Sequence, residues 1–274
     1  MTGALPFTTD DLTIASTPSQ EAPGRFVLRV PDGWQQGRGA FGGLVLGALA
    51  RAIEVTEPDP SRALRAFTGE IAGPVLVGDA AIEITELRRG SGLSSWNAIL
   101  TQEGQPLARA SAVLAKSRTP GPASLHIPPP SIPSFAEVPV TPLEQAPFVP
   151  AFSKHMEFRV SGAFPFTGAK EPVAEGWIRA KRTPPKLGGP EIVALADAWW
   201  PAGLTSATAP RPAGTVMFCL QVLLPDTPLD PGSPLFHRGR LIAEHGGFMA
   251  EARELWTADG RLVALNQQTI AWIR

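Results

Sequence analysis

Two stretches of the chain are almost uniformly apolar over the length of a short helix. The first follows Gly42-Gly43 and runs to Ile53, and the second, over residues 190–200, follows Gly188-Gly189. Apolar residues on nearly every face predict two helices that are buried on most of their surface. The paired glycines open both helices and leave free backbone amides in the first turn.

Alternating apolar and polar positions, punctuated by short glycine turns, accompany both helices and predict antiparallel strands. We expect strands at 75–77, 80–87, 95–102 and 107–116 in the first half, and at 175–181, 215–224, 240–244, 248–257 and 262–273 in the second. Each half then consists of a central helix wrapped by a curved antiparallel sheet. This α+β arrangement, present twice, is a double hotdog.

The two halves also match each other in sequence. The glycine pairs at 42 and 188 are 146 residues apart, and the turn glycines at 104 and 260, which precede the last strand of each half, are 156 residues apart. The matches keep their order, which indicates an internal duplication with about ten extra residues in the second copy.

Prolines are concentrated between the halves. Ten of the 30 prolines fall between residues 119 and 150, in a stretch without an amphipathic period. Proline fixes φ and removes an amide donor, so this stretch is predicted to be an extended, semi-rigid connector. We therefore expect an N-terminal hotdog over 1–118, a proline-rich linker over 119–150 and a C-terminal hotdog over 151–274.

The charge balance bears on partners and location. The 274 residues include 24 Lys and Arg against 25 Asp and Glu, a net charge of −1, which argues against nucleic acid as a partner. Charged residues make up only 18% of the chain, which favours a homodimer or higher homo-oligomer. We find no apolar run of membrane-spanning length and no signal-peptide pattern, and so expect a cytoplasmic protein without membrane contact.

Composition also restricts the chemistry. The chain has one cysteine, Cys219, four histidines and no tyrosine. An internal disulfide and a thiolate metal cage cannot form, and serine–histidine hydrolases or multi-histidine metal sites lack most of their residues. No glycine-rich nucleotide motif occurs. We therefore expect neither a metal nor a cofactor.

Several motifs occur together in one known family. An aromatic residue precedes the helix-opening glycines, a Leu-Arg-x-Gly turn precedes a strand, and the second half carries an Asp in its helix, a Thr at the start of the next strand and a Gln in the last strand. These are Phe41-Gly42-Gly43, Leu87-Arg88-Arg89-Gly90, Asp197, Thr215 and Gln268. In these motifs, and over most of the chain outside the linker, the sequence resembles the TesB-type acyl-CoA thioesterase II family.

The resemblance implies hydrolysis of an acyl-CoA or a related acyl thioester, with Asp197, Thr215 and Gln268 as the catalytic residues. Three positions depart from the family pattern: Val216-Met217 replace an Asp-His pair, Leu44 replaces a Gln, and Ser94–Asn97 stand where an Arg is often found. These departures bear on the choice of thioester and of its carrier.

Thioester hydrolysis needs a nucleophile, a proton acceptor and donors to the developing oxyanion. Asp197 can accept a proton from a water that Thr215 and Gln268 position by hydrogen bonds. Thr215 is expected to position this water rather than to attack, because no histidine is placed to deprotonate it.

Binding groups are expected on the first half. The free amides of Gly42 and Gly43 can face the thioester oxygen at the positive end of the helix. Arg88 could meet a CoA phosphate. Each residue also has a structural interpretation, namely a tight helix entry for the glycines and a solvated turn for Arg88.

The duplication indicates one site rather than two. The positions equivalent to Asp197 and Gln268 in the first half are Arg51 and Ala112, so only one half retains the polar set. A structural, ion-paired Asp197 remains an alternative, as do sheet-stabilising roles for Thr215 and Gln268. At the level of function, the alternatives are a non-catalytic acyl-thioester-binding protein and an enoyl-thioester hydratase, which usually presents an Asp and a His together.

Overall fold

The computed structural model describes residues 7–118, 127–143, 149–224 and 227–273. The first half contains α1 (Leu12–Ala15), β1 (Ser19–Ala22), β2 (Arg25–Val30), β3 (Gln35–Gln36), β4 (Gly39–Ala40), α2 (Gly42–Thr56), β5 (Ala63–Ile71), β6 (Gly78–Arg89), β7 (Leu93–Gln102) and β8 (Gln105–Ala115). The second contains a 3-10 helix (Ala151–His155), β9 (Met156–Val160), β10 (Val173–Ala180), α3 (Gly189–Asp197), α4 (Gly203–Ser206), β11 (Ala213–Val222), β12 (Leu235–His245), β13 (Phe248–Trp256) and β14 (Leu262–Trp272).

One antiparallel sheet of twelve strands runs through both halves, in the order β1-β2-β6-β7-β8-β5-β11-β14-β13-β12-β10-β9. The halves are joined where β5 pairs with β11, with Phe218 opposite Gly69 and Leu220 opposite Phe67. Each half places its helix against its own part of the sheet, so the predicted double hotdog is confirmed.

The two central helices pack against each other in antiparallel directions. A Cβ atom on Gly43 would lie 2.6 Å from the carbonyl oxygen of Ala194, and one on Gly47 would lie 3.1 Å from that of Pro190. Absent side chains therefore allow the backbones to approach closely. Both helices are buried on most faces, as their apolar sequences predict. None of the described helices combines the length and the apolar character needed to cross a membrane.

Several short elements were not predicted, among them α1, β1, β2, β9 and α4, and three further differences concern the main elements. Residues 75–77 form no strand; the segment passes beneath β4, where the carbonyl of Val75 accepts from the Ala40 amide at 2.8 Å. The second helix ends at Asp197 instead of residue 200. Strand β5 was not predicted, because a bulge between Leu64 and Ala66 interrupts its alternation.

The described part of the linker, residues 127–143, packs on the outer face of the C-terminal half. The indole of Trp177 donates to the carbonyl of Pro133 at 3.0 Å, and Arg159 donates to the carbonyls of Phe135 and Val138, both at 2.9 Å. A second, smaller core forms between linker and sheet from Val138, Trp177, Phe236, Trp256 and Leu262. The rest of the predicted linker, at 119–126 and 144–148, lies outside the described residues, and the domain boundaries remain a prediction.

Candidate active site

The N-terminus of α2 meets the C-terminus of α3 at a buried carboxylate. Asp197, the last residue of α3, is only 6% exposed. A Cβ atom on Gly42 would stand 2.7 Å from its Oδ2 atom, and the Gly43 amide faces the carboxylate and favours its charged form. The positive end of α2 thus offsets the negative end of α3 on which Asp197 lies.

A chain of hydrogen bonds leads from the sheet to this carboxylate. The hydroxyl of Thr215 donates to Oε1 of Gln268 at 2.7 Å, and Nε2 of Gln268 donates to Oδ1 of Asp197 at 3.1 Å and to Oδ1 of Asn266 at 3.0 Å. Both protons of the Gln268 amide are therefore engaged within the protein. The remaining acceptors at the centre of the site are Oδ2 of Asp197 and the lone pairs of Thr215.

A β-bulge aims Thr215 at this network. Thr215 pairs with Ile270 whereas Met217 pairs with Thr269, so Val216 is the extra residue on β11. A bulge changes the direction of the side chains next to it, and here Thr215 reaches Gln268 while Val216 is exposed. The departure from the family pattern at Val216-Met217 therefore coincides with the bulge.

Burial and neighbouring groups together set the basicity of Asp197. Burial raises its pKa to about 6, against the opposing effects of the Arg253 charge, the Gln268 hydrogen bond and the Gly43 amide. Glu251 acts in the same direction as burial. Asp197 is thus mostly ionised at pH 7 and is a stronger base than an exposed aspartate.

Buried charged residues on β13 lie behind this site and were missed by the sequence analysis. Arg253 donates to the carbonyls of Ala196 and Trp199 at 3.2 and 3.3 Å. Glu251 accepts from the Ala202 amide at 2.9 Å and lies 3.3 Å from Nε of Arg253. The signal was present: Glu251 and Arg253 occupy inward positions in the alternation of β13.

The glycine amides differ in what they face. The amide of Gly43 is directed at Asp197, whereas that of Gly42 has no backbone acceptor among the described residues. Of the two amides that were expected to face a thioester oxygen, only that of Gly42 therefore stays a candidate.

Arg88 lies far from Asp197, and its expected contact with a CoA phosphate stays a prediction. It is exposed near the end of β6, beside Arg89, whose guanidinium is 2.6 Å from Glu57 just after α2. The fifteen residues of α2 separate this end from Gly42, a distance of about 20 Å at the rise of an α-helix. Arg88 is not brought to Asp197.

The position related to the site by the duplication holds an ion pair. Arg51 contacts Glu191 at 2.6 Å, and the other oxygen of Glu191 accepts from the Gly188 amide at 3.0 Å. These contacts stabilise the first turn of α3, at the end of the helix opposite Asp197. The polar network therefore exists at one of the two related positions, as the comparison of the halves predicts.

The double hotdog fold and the sequence together place the chain in a class of acyl-thioester enzymes, through matches to two domains of one family. Residues 30–115 match the acyl-CoA thioesterase N-terminal domain, and residues 130–271 match the acyl-CoA thioesterase C-terminal domain. The chain belongs to the acyl-CoA thioesterase family and is a thioester hydrolase. No curated protein matches it.

Solved structures share the fold over nearly the whole chain. A hot dog fold protein of unknown function from Alicyclobacillus acidocaldarius is 22% identical, with a TM-score of 0.86 and coverage of 96% of this chain and 98% of that one. A putative thioesterase II from Thermobifida fusca is 21% identical, with a TM-score of 0.80 and coverage of 99% and 100%. Acyl-CoA thioesterase II TesB2 from Mycobacterium marinum is 14% identical, with a TM-score of 0.77 and coverage of 96% and 98%.

Proposed function

We propose that this protein hydrolyses acyl-CoA thioesters by direct attack of a water held by Asp197 and Thr215, with Gln268 fixing the Asp197 carboxylate. The observation that carries the proposal is that the two oxygens of the Asp197 carboxylate have different surroundings. Its Oδ1 atom is bound to Gln268, whereas Oδ2 faces the side of Gly42 that lacks a side chain. A water that reaches Oδ2 can donate one proton to it and the other to the Thr215 oxygen, which turns its lone pair toward the thioester carbon.

The proposed reaction uses these three side chains and one backbone amide. Asp197 takes a proton as the water oxygen attacks the carbonyl carbon, and the charge that develops on the carbonyl oxygen meets the Gly42 amide at the positive end of α2. The C–S bond then breaks, and the proton held by Asp197 passes to the leaving thiolate. Gln268 acts by fixing the carboxylate, because both its amide protons are already engaged.

Two observations favour hydrolysis over the alternatives. An enoyl-thioester hydratase presents a His beside its Asp, but His237 is fully buried, stacks on Trp199 with ring centroids 5.1 Å apart, and has its pKa held well below the usual value by burial. A non-catalytic binding protein has no need of a buried carboxylate with a pKa near 6. The cytoplasmic location and the homo-oligomeric state remain predictions.

Free-thiol release across a panel of short, medium, long and aromatic acyl-CoAs tests the function. We expect stoichiometric CoA and carboxylic acid from at least one class. Esters that stay bound and intact for hours would support the binding protein. Conversion of an enoyl-CoA to a hydroxyacyl-CoA without thiol release would support the hydratase.

Replacing Thr215 by valine tests its positioning role. We expect kcat to fall by about 10- to 100-fold, because Gln268 loses a donor and the water loses an acceptor. Thr215→Ser, which keeps the hydroxyl, is the matched control and should retain most of the activity. Complete loss in Thr215→Val, together with an acyl-enzyme detected by mass spectrometry of the wild type, would instead identify Thr215 as a nucleophile.

A further inference from the structure

The last turn of α3 ends inside the protein, where its carbonyls need donors. Arg253, 2% exposed, supplies them by donating to the carbonyls of Ala196 and Trp199, the residues one before and two after Asp197. Glu251 holds the segment that follows, through the amide of Ala202. Two buried side chains of β13 therefore fix the backbone on both sides of Asp197.

The same side chains lie directly beside the proposed water-holding network. In the pairing of β13 with β14, Arg253 is opposite Asn266 and Glu251 is opposite Gln268. Their charges are close together, since Glu251 lies 3.3 Å from Nε of Arg253, and both act on Asp197. A buried arginine and glutamate placed against the amide that holds the carboxylate have more than a packing role.

We propose that Arg253 is a positioning residue for thioester hydrolysis, which fixes the backbone that carries the Asp197 carboxylate and places a positive charge behind it, and that Glu251, which lies beside Arg253, partly offsets this charge. The inference rests on the proposed function for its kinetic consequence. The inference goes beyond the proposed function because it assigns roles to Arg253 and Glu251, which are proposed to contact neither the substrate nor the water.

Of the groups around Asp197, Arg253 and Glu251 are the two whose charges act on its carboxylate. From α2 it meets the Gly43 amide, and from β14 the neutral side chain of Gln268, which β11 supports through the Thr215 hydroxyl. From β12, the buried imidazole of His237 lies near Arg253, and burial keeps its pKa well below the usual value. On α3, Glu191 is already paired with a guanidinium at the opposite end of the helix.

The test is the pH dependence of kcat/KM in two variants that remove buried charges of opposite sign. In the wild type we expect the acid limb near pH 6, because activity is lost as Asp197 becomes protonated. Arg253→Met removes a positive charge that favours the ionised form, so its limb should move to higher pH by about one unit, with about a fivefold loss at pH 6 and about a tenfold loss at pH 5. Glu251→Gln keeps an acceptor for Ala202 and removes a negative charge, so its limb should move to lower pH.

Two controls separate positioning from stability. Arg253→Lys, which keeps the positive charge, should leave the acid limb close to its wild-type position. Arg159→Met removes a different, partly buried arginine that also donates to two backbone carbonyls, but in the linker contact, so it should lower thermal stability and leave the acid limb unmoved. Arg253→Met behaving like Arg159→Met, or both β13 variants shifting the limb in one direction, would overturn the proposal.

A measurement without turnover keeps the two proposals distinguishable. Titration of the Asp197 carboxyl by NMR, in protein carrying ¹³C-labelled aspartate, should show the same opposite shifts in Arg253→Met and Glu251→Gln. Absence of turnover with every acyl-CoA would reject the proposed function alone. Unchanged titration of Asp197 in both variants would reject the role of Arg253 even in an active enzyme.

Discussion

Asp197→Asn is expected to lower kcat/KM for the best acyl-CoA by about a thousandfold, the range of a lost general base. The asparagine can still accept from Gln268 through its oxygen, but its other atom becomes a donor that faces the Gly43 amide and can take no proton from water. Steady-state kinetics at pH 7.5, above the wild-type acid limb, measures the loss.

Stability should change little in this variant. The mismatch with the Gly43 amide costs about 1 kcal/mol, offset by removal of a buried charge. Asp79→Asn, on β6 and remote from the site, is the control and should behave as wild type. Turnover within a few fold of wild type by folded Asp197→Asn protein would contradict the assignment of the base.

Gly42→Ala is expected to cost about a hundredfold in kcat/KM, although alanine is the better helix former. Its Cβ would stand 2.7 Å from Oδ2 of Asp197 and 2.8 Å from Cδ1 of Ile71. Both neighbours are the ends of side chains, so they can move without unfolding the helix. The carboxylate would be displaced and the proposed water position filled, which kinetics and thermal melting together can separate from a folding defect.

The neighbouring glycine provides the contrast. A Cβ on Gly43 would meet the backbone carbonyl of Ala194 at 2.6 Å, so Gly43→Ala should instead reduce the free energy of unfolding, by about 1–3 kcal/mol. Gly92→Ala, where a Cβ meets nothing within 4 Å, is the matched control for both. Full activity in Gly42→Ala would show that the space beside Oδ2 is not where the water binds.

The sequence predicted the main site residues, and the structure places them in one hydrogen-bonded network. A carboxylate on an apolar helix is conspicuous, and Thr215 and Gln268 follow from the duplicated strands and the family motifs. The direction of the hydrogen bonds could not be predicted, because it depends on Asn266 taking the second proton of the Gln268 amide. Arg253 escaped notice because alternation predicts that a side chain points inward without saying what it meets.

The fold was predictable wherever periodicity was unbroken. Both central helices and most long strands follow from it, and β2 could have been found from Phe26, Leu28 and Val30 at alternate positions. Strand β5, which joins the halves, was hidden by its bulge between Leu64 and Ala66. Conversely, the short apolar run at 75–77 has the composition of a strand, but its backbone bonds to the Ala40 amide and to the side chain of Gln102 instead of forming a ladder.

The linker that packs on the C-terminal half has a consequence for quaternary structure. It covers the outer surface of that half around Trp177, whereas the outer surface of the N-terminal half keeps Leu87 and Ile99, which are 69% and 47% exposed. A second copy that docked on the outer surface of the C-terminal half around Trp177 would therefore meet the linker and not the sheet itself. Any dimer that buried this part of the sheet would first have to displace the linker.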